Sequence, residues 1–319
     1  YSQGYVYGSN RVGGLVGLTD TSIYNSSFSG FVSGESIVGG LSGESGSISD
    51  SNSDASVTSI SDVGGLSGVT SGLSNSSFRG SVTGITRVGG LAATVTSANG
   101  GSIKNSFSTG IVVGEDVVGG LAAILRGQLL PSVINNSYSN ASIIGNNSIG
   151  GLVGDSEISL ISNSYFSGSL SGNSSVGGLI GLNNNTNISN SFTTSFVTGV
   201  DFSTTGSLIG EFISGTMQNN FWNNISQNPN NAIGLGSSSG INPIENDISY
   251  FYDNSNLPFN GNWDSNVWNF TGNNLPYLSW QENPYLVLEV PEQLQSTASL
   301  FPIGGMVVSL LLILCFLLF

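Results

Sequence analysis

The sequence has no histidine, which removes the Ser-His-Asp and Cys-His nucleophilic arrangements and any histidine metal site. Its single cysteine, Cys315, excludes an internal disulfide framework and lies in an apolar tail, so cysteine usage is silent on redox compartment. Charge is scarce: 8% of the 319 residues, against ~25% in an average domain. Five bases face 19 acids, a formal net charge of −14, which repels nucleic-acid phosphates and anionic lipid and argues against either as a partner. All five bases (Arg11, Arg79, Arg87, Lys104, Arg126) precede residue 127.

What is abundant is glycine, 46 residues or about twice the usual ~7%, and it recurs in order. V/I-G-G-L begins at Val12, Val38, Val63, Val88, Val118, Ile149 and Val176, with a degenerate eighth copy, TGSLIG, at 205–210. The spacings are 26, 25, 25, 30, 31, 27 and 29 residues. A second marker follows each copy, as in IYNSSF, LSNSSF and ISNSYF. Two residues into it stands a column of Asn25, Asp50, Asn75, Asn105, Asn136, Asn163, Asn190 and Asn219. Nearly all length variation falls between the two markers, so one corner carries the insertions.

Apolar residues alternate over short stretches bounded by Gly, Ser and Asn, a strand signal, and no helical period appears before the tail. Strands of three to five residues joined by turns at this spacing predict an all-β fold: a β-solenoid (β-helix) of about eight 25–31-residue coils. Stacked coils place equal positions ~4.8 Å apart, so aliphatics form interior columns and the Asn column is expected to act as an amide ladder. Glycine is expected where corners need φ > 0 or close backbone approach. The boundaries read as solenoid 1–222, aromatic-rich capping segment 223–285, linker 286–299 and transmembrane or buried hydrophobic helix 300–319.

The run VGGLVGLTDTSIYNSSFSGFVSG resembles the GLUG repeat of bacterial and archaeal surface proteins, including adhesins and non-catalytic parts of surface peptidases. The resemblance covers roughly residues 1–222, and FWNNI…GNWDSNVWNF…NNLPYLSW is similar to the ending that often follows such arrays. It implies an extracellular β-solenoid and no reaction. Copy two departs with Asp50 and no aromatic, and copy eight loses its first Gly-Gly.

No cofactor or metal is expected. The calcium nonapeptide is absent, since Gly-Gly is followed by Leu, and Glu115-Asp116 or Asp155/Glu157 are at most weak cation sites. An enzyme is not expected either: two carboxylates can hydrolyse glycosides, but solenoid enzymes on acidic sugars generally need basic groove residues, and these five sit at unrelated positions. Among ten Asn-x-Ser/Thr sequons, the best glycosylation candidates are Asn146, Asn173, Asn184 and Asn187, followed by Asn140, Asn224 and Asn269. Asn25 and Asn75 occupy the ladder and are read as buried or too constrained to carry sugar.

Aromatics gather after residue 220, including Trp222, Trp263, Trp268 and Trp280, and are expected to cap the last coil's edge rather than form a sugar-stacking surface. Residues 300–319 are long enough to span ~30 Å of hydrocarbon, with no flanking Lys or Arg. Tyr1 falls mid-repeat: Gly4, Val6 and Gly8 align with the small, aliphatic and corner-glycine positions. With no initiating Met or signal peptide, this predicts a processed or truncated chain whose open edge docks on another copy or another surface protein. The combined expectation is a membrane-anchored surface structural or adhesion protein forming a filament or layer. The alternative is a carbohydrate-binding or carbohydrate-cleaving module, with glycans as partners.

Overall fold

Successive V-G-G-L strands pair in parallel and in register, with Val38 between Val12 and Val63, Val88 between Val63 and Val118, and Ile149 between Val118 and Val176. The degenerate eighth copy joins with Thr205 opposite Val176. These pairings belong to a computed structural model, which describes residues 1–223, 228–239, 241–244, 250, 253, 256, 263–270 and 274–282. The expected linker 286–299 and hydrophobic helix 300–319 lie outside the described residues. The described residues up to Gln281 form one compact unit.

The described chain is an all-β solenoid of about eight coils, here counted from one V/I-G-G-L to the next. Each coil feeds stacked sheets of 16, 13 and 8 strands. Within them all pairings are parallel; the antiparallel pair is Trp268–Asn269 with Tyr277–Leu278. Because strand side chains alternate, one set lines the interior: Val38, Leu41, Ile48 and Val57 serve coil 2 and are fully buried. Most strands keep to the expected short length, but some run longer, up to ten residues in Val153–Ser162, where the chain passes that corner without losing its partner. Coils 4 and 5 carry their extra residues there, between Ala92–Ser97 and Ser102–Lys104 and between Ala122–Gly127 and Ser132–Asn135.

The second Gly of the marker is demanded by packing. A Cβ on Gly65 would collide with the Phe78 ring and the Gly90 carbonyl oxygen. Left-handed backbone, by contrast, falls mostly on other residues. The Asn column holds φ between 46° and 53°, and the residue before V/I-G-G-L (Arg11, Ile37, Asp62, Arg87, Val117, Ser148, Ser175) holds 49° to 56°. Asn and Asp tolerate that conformation; for β-branched Ile37 and Val117 it costs about 1–2 kcal/mol.

Candidate functional site

The Asn column forms as expected, but its chief office is the turn rather than an amide ladder. Side-chain amide hydrogen bonds do link some coils: Asn75 Nδ2 donates to Asp50 Oδ1 (3.1 Å), Asn105 Nδ2 to Asn75 Oδ1 (3.2 Å) and Asn219 Nδ2 to Asn190 Oδ1 (3.3 Å). Asn25 and Asn75 are exposed, correcting the expectation of burial, while φ of 46° and 48° keeps their backbone constrained.

The buried ladder is made by the next residue, which sequence reasoning passed over. Ser26, Ser51, Ser76, Ser106, Ser137 and Ser164 each donate their backbone N–H to the side-chain oxygen of the serine one coil further, at 3.0–3.2 Å. Each hydroxyl in turn donates to the carbonyl two residues back in its own coil, as Ser137 Oγ does to Asn135 O at 2.9 Å. Asn220 ends the series, its Oδ1 accepting from Ser191 N and its Nδ2 donating to Ile188 O. The left-handed Asn bends the chain out of the sheet, and the serine supplies the acceptor that the following N–H would otherwise lack. The signal was present: Ser follows the column residue in seven copies.

The aromatics of the second marker fall into two columns that one residue separates. Three positions after the Asn, Phe28, Phe78, Phe166 and Trp222 point inward and are buried. Two positions after it, side chains point outward: Ser27, Asn52 and Ser77 in coils 1–3, then Phe107, Tyr138, Tyr165, Phe192 and Phe221 in coils 4–8. The rings from Phe107 to Phe192 stack at 4.9–5.0 Å with their planes nearly parallel. Arg79 closes one end, its guanidinium 4.8 Å from the Phe107 ring centre.

The expected capping segment does two things. Ile233–Leu235 and Ile241–Ile244 pair with strands of coil 8 and extend the stack. The tryptophans then lie along its side: Trp263 and Trp268 are buried against Phe192, and Trp280 packs on Phe107 and Tyr138. Trp263 Nε1 donates to Asn219 O (3.2 Å), Trp280 Nε1 to Asn136 O (2.9 Å) and Gln281 Nε2 to the Tyr165 hydroxyl (2.9 Å). The aromatics are therefore packed against one another rather than displayed.

Three arginines are likewise tied to acids one coil away. Arg87 holds Asp62 through two bonds of 2.5 and 2.6 Å, Arg11 meets Glu44 at 2.6 Å and Arg126 meets Glu157 at 2.7 Å. Burial beside Ile124 and Leu182 pushes the Asp155 carboxyl up, Arg126 opposing and Glu157 adding to the rise. Burial likewise raises the Tyr138 phenol. A shallow groove of about 480 Å³ between Val197, Phe202, Thr205 and Pro229 is lined without a charged residue.

Of the glycosylation candidates, Asn140, Asn146, Asn173 and Asn187 are exposed, Asn184 and Asn269 are half-buried, and Asn224 lies outside the described residues. Asn173 Nδ2 already donates to Asn146 Oδ1 at 2.6 Å. At the N-terminal edge, Gly4 pairs with Gly30 and Val6 with Val32, and Gly8 N donates to Ser33 O. Tyr1, Tyr5 and Tyr7 are exposed there.

Stacked parallel coils bridged by a corner serine ladder define a β-solenoid repeat protein. Its residues 8–33 match the family model of the GLUG motif, and the marker register of that stretch returns in each later coil. No curated protein and no solved structure matches the chain.

Proposed function

We propose that this chain is an extracellular structural or adhesion protein of the cell surface, without catalytic activity, held to a membrane by residues 300–319. The observation that carries the reading is where its polar and aromatic side chains go. Corner serines, several column asparagines, most bases and the second-marker aromatics are engaged in holding coil to coil, which is what a stalk or lattice element requires. The GLUG match at residues 8–33 supports the same class. A carbohydrate-binding or carbohydrate-cleaving module would present aromatics and carboxylates together on an open face; Trp263 and Trp268 are instead 5% and 1% exposed.

In this reading the open edge of strand Ser2–Tyr7 takes a further strand from another subunit, lengthening the stack. Its support is the exposure of Tyr1, Tyr5 and Tyr7 beside a strand partnered on one side among the described residues. Intact cells provide the test. The full chain is expected to be labelled by a membrane-impermeant reagent and to partition with membranes, and a variant ending at residue 299 is expected in the medium. Retention of the full chain in the cytosolic fraction would refute the assignment.

A further inference from the structure

One lateral face of the solenoid carries two outward columns without a charged residue, beside an outward position that holds the exposed Asp54 and Arg79 in coils 2 and 3. It is formed in coils 1–7 by the stretches after the second marker, from Ser27–Ser33 through Ser81–Thr83 to Phe196–Gly199. Their central residues, such as Val57 and Val82, point inward, so the flanking positions form two outward columns, one from Phe31 to Phe196 and one from Ser33 to Thr198. All fourteen positions, two in each of seven coils, are uncharged. The V-G-G-L face carries Asp62, Arg87 and Asp116, and the remaining face carries Glu44, Arg126, Asp155, Glu157 and Glu211.

The pattern along the columns is graded. Ile111, Val113 and Ile144 lie at the middle, in coils 4 and 5, with Ile111 and Ile144 about half exposed (51% and 49%). Hydroxyl residues dominate on both sides, and they bond coil to coil: Thr58 Oγ1 to Ser33 Oγ at 3.1 Å, Ser81 Oγ to Ser56 Oγ at 3.1 Å and Ser169 Oγ to Ser142 Oγ at 3.5 Å. Between the rings of Phe31 and Phe196 at its two ends, the strip has an apolar centre, polar uncharged flanks and hydroxyls already held in place, features of a protein interface.

We infer that this face docks laterally on the same face of a second copy. The partner follows from pitch and charge. Side-chain rows recur every ~4.8 Å, and only a surface of equal pitch interdigitates with them over its whole length, as in stacked β-sheets. A second copy has that pitch, and a two-fold axis through coil 4 or 5 brings the aliphatic centres together. At a net charge of −14 two copies repel through their acidic faces, and these two columns add nothing to that repulsion, the neighbouring Asp54 and Arg79 being of opposite sign. The strip is roughly 29 Å long and about 10 Å wide, well under the ~800 Å² per partner of a stable complex. The contact is therefore weak in dilute solution and effective where copies are concentrated on one surface.

The inference rests on the reading of the chain as an assembling protein but uses a surface other than the N-terminal edge. The test uses the full chain in detergent micelles with Cys315→Ser and one new cysteine, either Ser142→Cys on this face or Gln218→Cys on another. Cross-linking with a bismaleimide is expected to give covalent dimer at least ~tenfold faster for Ser142→Cys. Ile111→Glu with Ile144→Glu is expected to abolish that excess with the circular-dichroism spectrum unchanged. Should the pair unfold the protein, the exposed Thr83→Lys replaces it. Equal rates at the two cysteines, or an excess that survives the added charges, overturns the inference. End-to-end filaments without the lateral cross-link overturn it as well and leave the assembly reading standing.

Discussion

Coils 1–3 and coils 4–8 share a backbone and a corner chemistry, yet one outward column separates them. In the first three coils it reads Ser27, Asn52, Ser77, and Arg79 reaches back over the last of these, its Nη1 donating to the Ser77 hydroxyl at 3.3 Å. From Phe107 to Phe221 it is aromatic, and Trp263, Trp268 and Trp280 from a segment far along the chain lie on it. The first region is held by neighbour-to-neighbour contacts alone; the second is also clasped across several coils by contacts distant in sequence. Equivalent repeats that share one register are thus expected to differ in stability through what touches them from outside.

The largest test of that difference is Trp268→Ala. Losing a fully buried indole should cost about 3–5 kcal/mol, and hydrogen exchange should quicken in the strands around Phe107 to Phe221 while those around Ser27 to Phe78 stay as they were. Equal quickening throughout would show that the coils open as one unit. Next in size is Ser137→Ala, which strands the buried Ser106 N–H and should cost about 1–3 kcal/mol in urea unfolding. Ser51→Ala does the same to the less buried Ser26 N–H and should cost less; matching costs would mean that outside cover does not matter to the ladder.

Smaller still is Val117→Gly. It relieves a β-branched residue at φ 56° and should raise the melting temperature, by up to about 1 kcal/mol of stability after glycine's entropy is counted. The weakest effect is expected from pH. Because the folded-state pKa of Asp155 lies above its ordinary 3.8, the folded state holds that proton more tightly. Its contribution is favourable below the ordinary value and is lost as pH rises through the raised one. Asp155→Asn should therefore flatten that decline and leave the protein at least as stable at neutral pH, read as melting temperature against pH.

Much of the solenoid was legible because a repeat announces itself: the markers, the interior valines and the corner that takes insertions all follow from spacing alone. Three matters were not, each for a physical reason. The Asn column was visible, but periodicity cannot distinguish a residue chosen for its amide from one chosen for tolerating φ near 50°. Ser137 and its equivalents looked like ordinary surface serine, since composition does not reveal that a neighbouring turn has orphaned an N–H. Phe107 and Phe78 looked like one aromatic position sliding by a residue. In a strand that slide exchanges inside for outside, and it decides where the tryptophans settle.

The serine ladder also has a direction. Each hydroxyl serves the coil behind it and is indifferent to how many coils lie ahead. Removing Ser51–Asn75 would join Asp50 to Ser76 and hand Ser26 an identical acceptor, shortening the molecule by one ~4.8 Å step. Removing half as many residues would leave an amide without a taker. The chain is in this sense a ruler with fixed graduations: it can be lengthened or cut only by whole turns, so its reach is written in integers.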